Sequence, residues 1–123
     1  MRTSEFVEDL SEMVGQTFSK VTADHDAVYF ENDKVKYSFF HEQDCCENVQ
    51  VEEIIGDLED LADLPLLVAR EDSNADFPAP SNNEESYTWT FYNFATYKGW
   101  VTIRFLGTSN GYYSESVTCM KTG

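Results

Sequence analysis

The sequence predicts an α+β fold: a mainly antiparallel β-sheet with one N-terminal helix and one short middle helix, in a single domain over residues 1–123. Three observations carry this reading. From Thr17 onward apolar and polar residues alternate with a period of two, the mark of strands with one buried face. Clusters of Asp, Asn, Lys and Gly interrupt those runs where hairpin turns belong. Helical spacing of apolar residues is confined to two short stretches, one ending at Gly15 and one at Pro65.

In order along the chain, Ser4 is placed as an N-cap, with Glu5 and Glu8 near the positive helix end. Phe6, Val7, Leu10, Met13 and Val14 follow at helical spacing, and Gly15 suits the stop. Thr17–Ala23, Ala27–Glu31 and Val35–Phe40 read as strands, separated by the turn clusters Asp24-His25-Asp26 and Asn32-Asp33-Lys34. Val49–Ile55 reads as a strand leading into a short helix, Asp57–Leu61, whose buried side is Leu58, Leu61 and Leu64. Pro65 stops that helix, and Leu66–Ala69 resumes as a strand. Arg70–Glu85 has no sustained period and reads as an exposed loop, in which Phe77 either pins the loop down or closes over a ligand. Tyr87–Thr96 and Trp100–Leu106 form a hairpin around Tyr97-Lys98-Gly99. A last strand, Tyr112–Cys119, follows the turn Thr108–Gly111, where Asn-Gly supplies the positive φ of a tight hairpin.

Composition narrows the function. An apolar fraction of 41% with eighteen aromatics indicates a folded chain. No apolar run resembles a signal peptide or a membrane span, which sets the expected location as cytoplasmic. Cys45 and Cys46 are adjacent among only three cysteines, a poor disulfide framework, and both are expected to be reduced and metal-free. A net charge of −15 with eight scattered basic residues excludes a phosphate-tracking surface and direct nucleic-acid or membrane binding. The same charge would attract a basic protein.

The charge is unevenly distributed. None of the 23 acids falls between Ser86 and Ser114, a stretch that holds ten of the eighteen aromatics and only Lys98 and Arg104 as charges. Directly upstream, from His41 to Asp63, there are nine acids and no Lys or Arg. The run His41-Glu42-Gln43-Asp44-Cys45-Cys46-Glu47 packs polar donors densely, but adjacent cysteines cannot easily face one tetrahedral ion. Its acids would also raise a thiol pKa rather than depress it. No phosphate-cradling glycine loop, catalytic triad spacing or desolvated carboxylate pair is present, and no enzyme, metal or cofactor is expected.

The aromatic block is where a ligand is expected. On Tyr87–Thr96 one face carries Tyr87, Trp89, Phe91, Asn93 and Ala95, and the other Thr88, Thr90, Tyr92, Phe94 and Thr96. On the next strand Thr102 and Arg104 share a face, opposite Val101, Ile103 and Phe105. An arginine without a local carboxylate can present its fork to a phosphate, with rings beside it to stack on a base. The competing reading makes the rings core or subunit interface and pairs Arg104 with a remote acid.

Five segments in order resemble a small domain of unassigned function found in bacteriophages and mobile elements: His41–Glu47, Gly56–Leu61, Tyr87–Tyr92, Lys98–Arg104 and Ser109–Glu115. The resemblance covers roughly residues 15–118. It extends to phage anti-Thoeris sponges, which sequester a cyclic ADP-ribose signal without cleaving it. This implies a non-enzymatic homo-oligomer with nucleotide pockets near subunit boundaries. The candidate ligand set is then Arg104, Trp89, Phe91, Asn93, Lys98, Phe77, Tyr112, Tyr113 and His41, with Arg104 and Lys98 holding the diphosphate. The alternative is an acidic nucleic-acid mimic that inhibits a host defence nuclease or other basic host enzyme through Glu52, Glu53, Asp57, Glu59, Asp60 and Asp63.

Overall fold

The structure is a computed structural model and describes residues 4–43, 46–73, 86–109 and 114–123. Its strands are β1 (Ser4–Phe6), β2 (Lys20–Ala23), β3 (Val28–Glu31), β4 (Lys36–Phe40), β5 (Asn48–Ile55), β6 (Val68–Ser73), β7 (Ser86–Thr96), β8 (Gly99–Ser109) and β9 (Thr118–Thr122). They form a five-stranded sheet in the order β1-β9-β4-β3-β2 and a four-stranded sheet in the order β5-β8-β7-β6. Every pairing within them is antiparallel.

The turn clusters act through their side chains. Asp24 Oδ1 accepts from the backbone N–H of Asp26 and Ala27 at 2.9 and 2.8 Å, closing the β2–β3 turn. Asn32 Oδ1 does the same for Lys34 and Val35 between β3 and β4, at 2.9 Å each. With register fixed this way, Val28, Phe30, Tyr37 and Phe39 all point to one buried face. Tyr92, Phe94, Val101, Ile103 and Phe105 do so from the second sheet. The two faces meet ring to ring: Phe30 and Phe94 have centroids 4.6 Å apart, and Phe39 and Tyr92 4.9 Å. The core is therefore the filling of a β-sandwich, and truncating one of these rings to Ala should cost about 3–5 kcal/mol.

The α+β expectation is wrong in its helices. Among the described residues both helical stretches are single 3₁₀ turns, at Leu10–Met13 and Leu58–Leu61. The N-terminal residues are instead drawn into the sheet, where Ser4, Glu5 and Phe6 pair with Thr122, Lys121 and Met120. That leaves room for one turn only, capped by Asp9 Oδ1 on Ser11 N at 2.9 Å, with Met13 its buried residue. The middle stretch is capped by Asp57 and ends before Asp63, which sits at φ 66°. Between those points the run is too short for an α-helical nucleus to repay its entropy. Tertiary pairing outweighed apolar spacing at the N-terminus, and shortness of the run did so in the middle.

Boundaries moved as well. β6 runs through Arg70–Ser73, which were expected in the loop, and β9 lies later than the strand expected over Tyr112–Cys119. Thr108 and Ser109 extend β8 rather than open a turn. Among the described residues no helix is long and apolar enough to cross a membrane.

Candidate binding face

Directly opposed residues of an antiparallel pair share a face. The register therefore assembles the outer face of the four-stranded sheet from Phe91 opposite Arg104, Asn93 opposite Thr102 and Ala95 opposite Trp100. Glu53 and Ile55 of β5 join it opposite Arg104 and Thr102, and Arg70 and Asp72 of β6 opposite Asn93 and Phe91. Trp89, Phe91 and Asn93 share this face by their period of two, and the β7–β8 register adds Arg104 to it.

The centre of this face is closed. Arg104 donates through Nη2 to the Glu53 carboxylate, and its guanidinium lies 5.7 Å from the centre of the Trp89 ring. Trp89 and Phe91 are stacked, with centroids 6.4 Å apart at 20°. Asn93 Oδ1 accepts from Thr102 Oγ1 at 2.7 Å, and its Nδ2 donates to Asp72 at 3.3 Å. Trp89 is only 7% exposed and the Arg104 side chain 18%, so neither offers an open ring or fork to a base or phosphate. The acid-free stretch obtains its carboxylate from the strand next door. A bulge between Val51 and Glu53 shifts the β5 register and sets Glu53 opposite Arg104.

The other expected ligand residues lie elsewhere. Lys98 is in the β7–β8 turn, six residues from Arg104 along β8, a separation of about 20 Å at strand rise. Its Nζ donates to the Ala62 carbonyl at 3.4 Å. One diphosphate cannot bridge Lys98 and Arg104 in this arrangement. His41 follows β4 and is buried: Nδ1 donates to the Ser116 carbonyl at 2.7 Å, and Nε2 meets Glu47 Oε2 at 2.7 Å. It ties the segments leading into β5 and β9 to the end of β4. Phe77, Tyr112 and Tyr113 lie outside the described residues.

The acids expected to meet a partner collect at one end of the same sheet. Glu52, Glu53, Asp57, Glu59 and Asp63 are exposed, on the edge strand β5 and the 3₁₀ turn after it. Asp60 lies against the β7–β8 turn, its Oδ2 3.3 Å from the position of a Cβ on Gly99. Asp57 spends one oxygen on its cap, accepting from Glu59 N at 3.0 Å.

Sequence reasoning overlooked the apolar residues inside this acidic end. Trp100 is 60% exposed and Tyr97 82%, and Ile55 is also open to solvent. Ile55 opposes Thr102, so Trp100 is its diagonal neighbour on the same face. Gly56 permits the approach: its φ is +111°, and a Cβ would meet the Trp100 carbonyl at 2.6 Å. The signal was present in the strand period, because Trp100 shares the parity of Thr102 and Arg104, the solvent-facing set.

Of the two cysteines expected to be reduced, Cys45 lies outside the described residues. Cys46 is disulfide-bonded rather than reduced. Cys119 is free and buried, and burial pushes its thiol up to about 12. Among the described residues no three His, Cys, Asp or Glu side chains converge on a point where a metal ion could sit.

No curated protein and no solved structure matches the chain. The family model described as a domain of unknown function (DUF7448) matches residues 11–119, from the first 3₁₀ turn to β9. The chain belongs to the DUF7448 family.

Proposed function

We propose that the protein is a non-enzymatic binding protein that holds a basic partner protein against the acidic end of its four-stranded sheet. The observation that carries this reading is the exposed pair Trp100 and Ile55 on the sheet face that also carries Glu53, with the exposed acids Asp57, Glu59 and Asp63 following β5 in the chain. Large exposed aromatics dominate the energy of protein interfaces, and a charged rim sets encounter rate and partner choice. A net charge of −15 selects a basic partner. We read that partner as a host defence nuclease or other basic host enzyme met in the host cytoplasm, as the resemblance to phage-borne domains implies.

Inhibition of a panel of host defence nucleases tests this directly. Trp100→Ala should abolish inhibition, and so should the triple change Glu52→Gln, Glu59→Gln, Asp63→Asn, with circular dichroism unchanged in both. Asn suits the positive φ of position 63. Inhibition by the parent should weaken steeply with added salt. Inhibition that survives both variants removes the proposal.

A second reading is favoured by the Arg104, Trp89 and Phe91 cluster: sequestration of a cyclic ADP-ribose type nucleotide by a homo-oligomer. It requires Arg104 to leave Glu53 and the Trp89 ring to open. Calorimetry with cyclic ADP-ribose isomers and cyclic dinucleotides separates the two readings, since only the second expects heat of binding.

A further inference from the structure

At the end of the sandwich away from the β7–β8 turn, the inner face of β7 stops being apolar. Phe94 and Tyr92 give way to Thr90 and Thr88, at positions where a sandwich core would take Val or Ile. Thr88 and Thr90 line a cavity of about 240 Å³ with Glu71, Ser114, Glu115 and Ser116. It shares Glu71 and Val117 with a neighbouring cleft of about 480 Å³, which Val7, Leu10 and Ala69 make partly apolar.

Glu115 is the anchor of this cavity. It is 8% exposed, and among the described residues its carboxylate accepts from two hydroxyls: Thr88 Oγ1 at 2.7 Å on Oε1, and Ser109 Oγ on Oε2. The β8 backbone is pressed against it, since a Cβ on Gly107 would lie 2.7 Å from both the Glu115 Cβ and its carbonyl. No basic side chain pairs with Glu115 among the described residues. Across the cavity Glu71 accepts from the Tyr92 hydroxyl. Arg70 is turned to the outer face of β6, where it meets Asp72 at 3.3 Å. Independently of the carboxylates, Thr90 is 4% exposed, lines the cavity and makes no side-chain hydrogen bond to any described residue.

A buried carboxylate served, among the described residues, by hydroxyls is poorly compensated, and a bound cation would supply the charge that none of those residues brings. We propose that this cavity binds the ammonium group of an alkylamine, its three N–H donors directed to Glu115, Glu71 and the Thr90 hydroxyl. The alkyl chain would run into the adjoining cleft. Two sources share this chemistry, a free diamine and the lysine side chain of a protein.

The test is an NMR titration of the full chain with 1,5-diaminopentane and, separately, with N-acetyl-lysine amide. Saturable shifts at the amides of Thr88, Thr90 and Ser116 are expected. Tighter binding of the diamine identifies a free cation as the ligand, and tighter binding of the lysine derivative a protein lysine. Glu115→Gln should weaken binding about tenfold or more, the loss of a charge-assisted hydrogen bond. Thr90→Val, nearly isosteric, should weaken it severalfold and carries the test if the Glu115 variant does not fold. Asp33→Asn makes the same change of charge on the exposed β3–β4 turn and should leave binding unchanged. An equal loss with Asp33→Asn would show a diffuse field effect and overturn the proposal. So would the absence of saturation with either amine, or tighter binding of calcium at the same amides.

Discussion

Replacing Arg104 with Ala distinguishes a structural arginine from a ligand-binding one. In the structure the guanidinium has two identified partners, the Glu53 carboxylate and the Trp89 ring at 5.7 Å. The Glu53 side chain is 44% exposed, so water screens the ion pair and its coupling should be about 0.5–1 kcal/mol. The cation–π contact adds roughly 0.5–1 kcal/mol, and lost packing of the arginine stem a similar amount. Arg104→Ala should therefore destabilise the chain by about 1–3 kcal/mol, a fall in melting temperature of very roughly 3–15 °C at this chain length. Urea unfolding followed by tryptophan fluorescence is a suitable assay, because Trp89 reports on the site itself. A double-mutant cycle with Glu53→Gln isolates the pair, and Arg104→Lys should recover part of the loss by keeping the charge without the fork. Arg70→Ala controls for the change in net charge, since Arg70 is exposed and its loss should stay within about 0.5 kcal/mol. If Arg104→Ala is neutral or stabilising and the cycle gives no coupling, Glu53 does not hold the arginine. The nucleotide reading would then regain its cation.

Two further outcomes follow from buried groups. His41→Ala removes the hydrogen bonds to Glu47 and to the Ser116 carbonyl at a nearly inaccessible side chain, and should cost about 2–4 kcal/mol in urea unfolding; an unchanged midpoint would refute that tie. Burial first, then the charges of Glu12 and Glu71, raise the Cys119 thiol from 9.0 to about 12. The folded value lies above the unfolded one, so the unfolded chain loses its proton first: stability is complete below about pH 9 and falls as pH rises towards about 12. The slope from this one group is a little over 1 kcal/mol per pH unit, and Cys119→Ala should flatten it between pH 9 and 10, before tyrosines with raised values, Tyr92 foremost, begin to add theirs. Equal slopes for parent and variant would show that the thiol is not buried in solution.

The strands were legible because their period and turn chemistry are local properties. Asp24 and Asn32 close their turns with their own side chains, and the alternation of Tyr92 and Phe94 against Asn93 is fixed by the pleat. What was not legible depended on pairing between distant segments. Phe6 reads as helical until β9, over a hundred residues later, supplies a strand partner. Arg104 reads as lacking a carboxylate until β5 is known to pair with β8, and Glu53 faces it only because of the bulge. His41 reads as a ligand residue in a polar run, and the Ser116 carbonyl that engages it is remote in sequence. Exposure of Trp100 follows from strand parity, yet aromatic content alone points to a core.

The same β5–β8 pairing converts charge segregation along the chain into charge segregation in space. It sets the acid-rich strand beside the acid-free one, with β5 at the sheet edge. Acids and a bulge on an edge strand have a sufficient explanation without any partner, since they discourage pairing with another chain's strand. Glu52 and Glu53 fall under that explanation, and Glu53 is further engaged by Arg104. Glu59 and Asp63 do not, because they lie beyond the strand on and after a 3₁₀ turn that offers no ladder to protect. Edge protection also gives no account of Trp100, which belongs to the interior strand β8 and still presents most of its surface to water. An exposed tryptophan on an interior strand, together with exposed carboxylates that protect no edge, is the combination expected of a docking surface. The residues on which the partner reading stands are therefore Trp100, Ile55, Glu59 and Asp63, more than the acids of β5 itself.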